Sequence, residues 1–299
     1  MQRTQNLKKK LEYARFIHLL VIYMVTLAIY LFTTIPHKRW ILLTVLVISA
    51  GIEPGLILKR SKHRIMGTLL GLILLIPLLY TLQLNYRLVP VVFIIALIGM
   101  IVSSLKPSRY DISVFFITIV VFFLLAQTYE ANAKNAPFEM VMNRGICTLI
   151  GIGIVRVSDY FLFQTYQYSQ KLYLYHQMMI YDFLKNTARQ IKKLQNETSN
   201  AFLFLERLRN DFIKNFNLIA ISSENLMLDV KASKSIKQET ANFQQVIWDL
   251  RRLTFALSFS ELIQPSPKAS QIHWEKHTKL MQEAKNSFIL HHTLMFLPV

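Results

Sequence analysis

The stretch KRSKHRIMGTLLG, Lys59–Gly71, places five basic residues directly before a glycine-rich apolar segment that continues through Leu79. A second stretch, NRGICTLIG at Asn143–Gly151, nearly repeats it. When Arg64 is aligned with Arg144, both stretches follow the pattern R-x-x-[small]-T-L-x-G. Two copies of one motif at the start of two apolar segments predict an internally repeated architecture.

Composition separates the chain into two halves of different character. Of its 299 residues, 53% are hydrophobic, yet the net charge is +17. The apolar residues accumulate before about Phe163, and the charged residues dominate after it. This asymmetry predicts an all-α integral membrane protein with a cytoplasmic N-terminal segment at 1–15, a transmembrane domain at 16–165 and a cytoplasmic helical domain at 166–299.

The membrane half contains six mostly apolar segments of about 20 residues, the length that an α-helix needs to cross a bilayer. The predicted spans are Phe16–Thr34, Trp40–Leu58, Ile65–Leu84, Leu88–Leu105, Ile112–Tyr129 and Val141–Phe163. The first is expected to be retained and not cleaved as a signal peptide, because its apolar run is too long and no small-residue cleavage site follows it.

Positive charge in the connecting segments predicts the orientation of the spans. With six spans, most of the lysines and arginines of this half fall in connecting segments on one side of the membrane. They are Arg3, Lys8, Lys9, Lys10, Arg15, Lys59, Arg60, Lys62, Arg64, Lys106 and Arg109. Lysine and arginine favour the cytoplasmic side, so both termini are predicted to be cytoplasmic. Residues 59–64 are then expected to form a cytoplasmic loop, whose charge either only fixes the topology or also contacts a substrate.

The two copies of the motif predict how the six spans are arranged. With three spans per copy, the second copy must be inverted relative to the first, and inverted three-plus-three repeats are typical of transporters with sites near the repeat interface. Thr44 in span two and Thr118 in span five form a weaker echo. Small residues let membrane helices approach closely. The predicted helix-packing motif consists of Gly67, Thr68, Gly71, Thr148 and Gly151.

These residues resemble a known family. The W-x-x-x-T pattern of Trp40 and Thr44, then Pro54, a basic segment and R-I-x-G-T-L-x-G at Arg64–Gly71 look like the fusaric acid resistance family, which includes the aromatic acid exporters. The second copy at Arg144–Gly151 is similar to the second part of that family's membrane domain. The resemblance covers about the first 165 residues.

The resemblance implies six spans followed by a cytoplasmic helical domain, a place in the bacterial inner membrane and export of small organic, in particular aromatic, carboxylic acids. It extends to the plant aluminium-activated malate transporters, which are dimeric anion channels of similar layout. Many bacterial exporters of this group carry two membrane domains in one chain. This sequence has one, which favours a homodimer. A periplasmic adaptor protein docks on the aromatic acid exporters and is therefore a further candidate partner.

Burial of an ionisable residue inside a membrane span costs free energy, so the ionisable residues of the predicted spans are candidates for a functional role. Glu53 adjoins Pro54 and Gly55, which are expected to break the helix. Its carboxylate is a candidate for proton coupling, or else a partner of the nearby cations. Arg156 in span six either pairs with Asp159 on its own helix or offers its guanidinium group to a substrate carboxylate.

The two arginines that open the motif complete the predicted anion path. Arg64 is expected at the inner end of span three, and Arg144 near the outer end of span six, so an anion would meet positive charge at each mouth. Snorkelling to the interface is the alternative for Arg144. The sequence thus predicts an anion path that includes Arg64, Arg144 and Arg156.

The C-terminal half has the periodicity of amphipathic helices, which are expected to pack as an antiparallel bundle or against a second subunit. They are predicted at Tyr166–Asn196, Thr198–Asp229, Ser235–Leu262 and Ala269–His291. The core stripe of the second helix is predicted to be Phe202, Leu205, Leu208, Phe212, Phe216 and Ile219. Scattered lysines and arginines indicate a solvated face or attraction to lipid headgroups, and no nucleic acid is expected as a partner.

Several chemistries have no adequate sequence signal. His273 and His277 share a helix face, but no third ligand is evident, so no metal site is expected. The lone Cys147 forms neither a disulfide nor a cysteine metal site. Phosphate-binding loops, nucleophile elbows and HExxH motifs are missing from the sequence, so we expect no cofactor, no enzymatic activity and no ATP-driven transport by this chain alone.

The residues and the resemblance together predict an exporter of small organic anions in the lipid bilayer, driven by the proton gradient. A passive anion channel of the same fold is the first alternative. A helical scaffold or sensor, anchored and dimerised by the membrane spans, is the second.

Overall fold

A computed structural model describes residues 2–35, 38–49, 54–105, 110–129, 137–163, 166–194, 201–229, 232–263 and 265–289. Every regular element in these ranges is helical. The α-helices are α1 (Gln2–Phe32), α2 (Arg39–Ser49), α3 (Pro54–Leu84), α4 (Val89–Ser104), α5 (Tyr110–Tyr129), α6 (Pro137–Ser158), α7 (Tyr168–Leu194), α8 (Ala201–Leu228), α9 (Lys234–Ser258) and α10 (Pro267–Asn286). A 3-10 turn covers Tyr86–Leu88, and π-helical turns cover Asp159–Phe163 and Phe259–Ile263.

The chain divides into two compact units. The first, here called the apolar unit, is Arg15–Phe163, and the second, the C-terminal unit, combines Met1–Ala14 with Gln164–Val299. Helix α1 contributes residues to both, because the boundary between the units falls within it.

Three helices among the described residues are long and apolar enough to cross a membrane, namely Thr4–Phe32, Lys59–Thr81 and Val141–Leu162. Three shorter apolar helices, Arg39–Ser49, Val89–Ser104 and Tyr110–Leu124, coincide with the other predicted spans. The chain is therefore a multi-pass, all-helical membrane protein, and the number of six crossings stays a prediction.

Helix α4 illustrates the membrane setting. Its 16 residues include no ionisable side chain, and Ala96 is its one buried residue. Ile94, Ile95, Ile98 and Val102 are each more than half exposed. An apolar face of this kind would be unfavourable in water, whereas in a bilayer it contacts lipid chains.

The predicted cytoplasmic loop at residues 59–64 is wrong, because these residues lie inside α3. The predicted span Trp40–Leu58 is also divided: α2 ends at Ser49 and α3 begins at Pro54. Lysine and arginine are good helix formers, so a run of positive charge does not end a helix. Proline is tolerated in a first helical turn, where its missing N–H would have no intrahelical partner.

In the C-terminal unit, α7 packs on α8, and α9 packs on α10. Four of the six residues predicted as the core stripe of the second helix are buried: Leu208, Phe212, Phe216 and Ile219. Leu205 is partly buried against the same core. Phe202 is 74% exposed, so its assignment to the core is wrong. It lies in the first turn of α8.

The start of α9 provides a small stability test. The Ser233 side chain accepts a hydrogen bond from the backbone N–H of Ile236 at 3.3 Å, which is an N-cap. We expect Ser233→Ala to lower the free energy of unfolding by about 1 kcal/mol, because one N–H of the first turn loses its partner. Thermal unfolding followed by circular dichroism measures this. Ser235→Ala, which removes an exposed hydroxyl two residues later, is the matched control and is expected to change little.

Candidate functional site

The same helix crossing occurs twice in the apolar unit. A Cβ atom placed on Gly71 of α3 would lie 3.0 Å from the Cβ of Thr118 on α5. A Cβ atom placed on Gly151 of α6 would lie 2.9 Å from the Cβ of Thr44 on α2. Gly71 and Gly151 therefore each pack against a threonine of a helix from the other half of the unit, at distances that leave little room for a side chain.

The burial of α3 and α6 follows the same order along both copies of the motif. When residues 61–75 are aligned with 141–155, the side chains fall into the same class, buried, intermediate or exposed, at thirteen of fifteen positions. Thr68 and Thr148 are both buried, as are Gly67 and its counterpart Cys147. The sequence repeat therefore corresponds to equivalent positions in the packed helices.

Arg64 and Arg144 occupy one such pair of positions. Each is only 2% exposed. Arg64 lies on α3 and Arg144 on α6, and these two helices pack against each other. The predicted placement of the two arginines at opposite mouths of an anion path stays a prediction.

Trp40 holds the guanidinium group of Arg144 in place. The Cζ atom of Arg144 lies 3.8 Å from the centre of the indole ring, which is a close cation–π contact. Such a contact is worth roughly 2 kcal/mol or more when it is desolvated. Sequence reasoning used Trp40 only as part of a motif and did not place it at the site.

The polar atoms around this pair lack partners among the described residues. The Nε atom of Arg64 and the Nε and Nη1 atoms of Arg144 have no hydrogen bond there. The hydroxyl groups of Thr44 and Thr68 are also buried without a hydrogen bond to a described residue. No described carboxylate forms an ion pair with either arginine. Burial of a cation without a partner costs several kcal/mol, so two buried arginines with no described acidic partner make this region a candidate anion site.

Among the described residues, Arg156 does not lie near this pair. Arg156 is exposed, and it lies twelve residues after Arg144 on α6, or about 18 Å along the helix axis. Glu53 lies outside the described residues. Pro54 and Gly55 begin α3, so the predicted helix break falls where α3 starts.

Two histidines in the apolar unit were not singled out from the sequence. His18 is buried on α1, two turns before the buried Thr26 on the same face. His63 on α3 directly precedes Arg64, and its Nδ1 atom lies 3.7 Å from Oδ1 of Asp111 on α5. The sequence gives little indication of this pair, because His63 lies within a basic run and Asp111 at a helix start. Their pairing depends on which helices cross.

The C-terminal unit contributes a separate polar contact. Trp274 Nε1 donates a hydrogen bond of 2.6 Å to Glu261, which also accepts one from Ser270. Burial lowers the pKa of His277, which keeps this imidazole neutral. No group of three metal-binding side chains occurs within the part of the chain that the structure describes.

Residues 22–157 match the family described as fusaric acid resistance protein-like. The matched region contains both copies of the motif, together with Trp40, Arg64 and Arg144. The resemblance stated from the motif is thereby confirmed. No curated protein and no solved structure matches the chain.

Proposed function

We infer that this chain, whose residues 22–157 form a fusaric acid resistance protein-like domain, is a membrane transporter that exports small organic carboxylates, in particular aromatic ones. The observation that carries the proposal is the pair of buried arginines, Arg64 and Arg144, without a described acidic partner. We assign no enzymatic activity to the chain.

The arginine pair suits a carboxylate for electrostatic and geometric reasons. A planar guanidinium group can donate two parallel hydrogen bonds to one carboxylate. The bound anion would relieve the repulsion between Arg64 and Arg144, because its negative charge lies between two positive ones. The ring of Trp40 covers one face of the Arg144 guanidinium group and leaves its edge available for hydrogen bonds. An aromatic substrate would add contacts with apolar side chains.

The packing supports a three-plus-three repeat, and we propose that it is an inverted repeat of six spans with both termini in the cytoplasm of a bacterial inner-membrane protein. Equivalent residues of the two halves form equivalent crossings, Gly71 with Thr118 and Gly151 with Thr44. In transporters of this kind the site lies near the interface of the repeats, and we propose that position for Arg64 and Arg144. We also propose a homodimer as the working unit. A periplasmic adaptor stays a candidate partner.

The membrane potential bears on the driving force. An anion leaving a negatively charged cell gains about 2.3 kcal/mol per charge for each 100 mV. Export can therefore proceed without proton coupling until the external concentration exceeds the internal one by roughly 50-fold at 100 mV, and proton coupling is needed only for steeper gradients. The coupling role predicted for Glu53 stays a prediction. It requires that Glu53→Gln abolish the response of transport to a pH gradient.

Flux in proteoliposomes tests the proposal. Purified protein is reconstituted with a radiolabelled hydroxybenzoate, and potential and pH gradient are imposed separately. We expect flux that saturates with concentration and accumulates the anion against its own electrochemical gradient when a pH gradient is imposed. Dissipative flux of many anions under every condition would instead establish a channel. No flux of any anion above protein-free liposomes would contradict the transport function and favour the anchored scaffold.

A further inference from the structure

We propose that His63, paired with Asp111 across the crossing of α3 and α5, is a proton-binding residue that links pH to anion binding at Arg64 and Arg144. The proposal rests on the transport function inferred above and adds to it a regulation of the same site. His63 directly precedes Arg64 on α3. Helix α3 belongs to the first half of the repeat, and α5, which carries Asp111, belongs to the second.

The position of the pair is fixed by close packing. His63 Nδ1 and Asp111 Oδ1 are 3.7 Å apart, and each side chain is 30% exposed, although the Oδ1 atom itself is buried and has no hydrogen bond among the described residues. One helical turn after His63, Gly67 packs so tightly on α5 that a Cβ atom there would lie 2.4 Å from the backbone oxygen of Asp111. The helices therefore hold the imidazole and the carboxylate at the same crossing.

Charged and titratable groups on the neighbouring elements define what His63 experiences. Lys59 lies one turn before it on the same face of α3, and Arg64 follows it. Helix α4 carries no ionisable side chain. The remaining groups on α3 and on the elements packed against it are Arg60, Lys62 and Tyr80 of α3, Arg39 of α2, Tyr86 and Arg87 of the 3-10 turn, Tyr110, Asp111 and Tyr129 of α5, and Glu139, Arg144, Cys147 and Arg156 of α6. Histidine is the residue type that ordinarily changes its charge between about pH 5 and 8, and His63 is the histidine of this set.

Protonation of His63 changes the charge beside the anion site. The imidazolium adds a positive charge next to Arg64, and Asp111 compensates part of its cost. A bound carboxylate then favours the protonated imidazole, and by linkage the protonated imidazole favours the bound carboxylate to the same extent. The expected sign is tighter anion binding as the pH falls, with the gain lost as the pH rises and His63 becomes neutral.

This sign has a consequence for the cell. A weak aromatic acid that diffuses inward as the neutral species releases its proton in the cytoplasm, so it supplies the anion and lowers the pH together. A site whose affinity rises on protonation responds to both products of that dissociation. His63 would thus raise occupancy of the exporter when its substrate accumulates.

The test is a titration of full-length protein in detergent with 4-hydroxybenzoate by isothermal calorimetry, at about pH 5.5 and about pH 8. We expect affinity at the lower pH to be higher by a factor between about 5 and 150, the range of typical coupling energies. Titrations near neutral pH in two buffers of different ionisation enthalpy should show uptake of a fraction of one proton per anion. Absence of both the pH effect and the proton uptake in wild-type protein would overturn the proposal.

Two variants assign the proton to the pair. His63→Gln should retain binding with its pH dependence lost, whereas His273→Gln, in the C-terminal unit, should behave as wild type. If His63→Gln fails to fold, Asp111→Asn provides the second test and should move the midpoint of the affinity curve to lower pH. An unchanged pH profile in a folded His63→Gln protein, or an unmoved midpoint in Asp111→Asn, would reject the assignment. Failure of the transport function itself would look different, because no anion would bind at either pH.

Discussion

Replacing Arg144 by glutamine is expected to lower the affinity for an aromatic carboxylate by about 30-fold or more and to abolish measurable transport. Truncation of one partner in a buried, hydrogen-bonded charge pair costs about 2–5 kcal/mol, and each 1.4 kcal/mol is a factor of ten. Arg144 is almost fully buried beside Arg64, with two of its nitrogen atoms free to donate among the described residues. Calorimetric titration of detergent-solubilised protein and flux in proteoliposomes measure the loss.

Two companion variants make this prediction specific. Arg144→Lys keeps the charge but removes the planar fork, so we expect an affinity between those of wild type and the glutamine variant. Arg156→Gln removes an exposed arginine from the same helix and is expected to bind the anion nearly as wild type does. Equal losses from both glutamine variants would move the site to the exposed face of α6.

Stability distinguishes a binding role of Arg144 from a structural one. An unpaired buried cation is unfavourable, so its removal is not expected to destabilise the protein by the several kcal/mol that a structural ion pair would give. Loss of the contact with Trp40 offsets part of this gain. The single, buried Cys147 serves as the reporter, because a thiol-reactive dye labels it only on unfolding. A strongly lowered unfolding temperature would show that Arg144 holds the helices together.

The sequence predicted the membrane class and the packing motif because both depend on local residue types. Long apolar runs specify membrane helices, and residues 22–157 match the family that the motif resembled. Small residues at fixed spacing specify close helix contacts. Gly71 and Gly151, both assigned from the motif, indeed form such contacts, each with a threonine of another helix.

The composition of the site depends on which helices pair, and no local pattern specifies that. Arg64 and Arg144 were expected at opposite mouths because span counting places them at opposite ends of a linear path. In the folded unit α3 packs on both α5 and α6, so the helices that carry Arg64 and Arg144 are in contact. Trp40 joins them only because α2 packs on α6. A loop was expected at residues 59–64 because positive charge indicates which side of the membrane a segment faces. Lysine and arginine do not break a helix, so the same residues can be helical.

Replacing Gly67 by alanine is expected to lower the free energy of unfolding by about 1–3 kcal/mol, the usual range for overpacking. The new Cβ atom would lie 2.4 Å from the backbone oxygen of Asp111 and 2.9 Å from the Cβ atom of Val114. A backbone oxygen cannot rotate away as a side chain can. Helices α3 and α5 would therefore have to separate by about 1 Å to restore ordinary contact distances. Dye labelling of Cys147 during thermal unfolding in detergent measures the change.

Gly153→Ala is the matched control, since a Cβ atom there would have no neighbour within 4 Å. It makes the same chemical change in a membrane helix, and we expect its stability to stay within about 0.5 kcal/mol of wild type. Because α3 also carries His63 and Arg64, separation of the helices should weaken anion binding in the Gly67 variant and leave it intact in the Gly153 variant. Equal stabilities of the two variants would mean that α3 and α5 do not pack at this distance. Lost stability with unchanged anion affinity would mean instead that the crossing stabilises the fold but does not position the arginine.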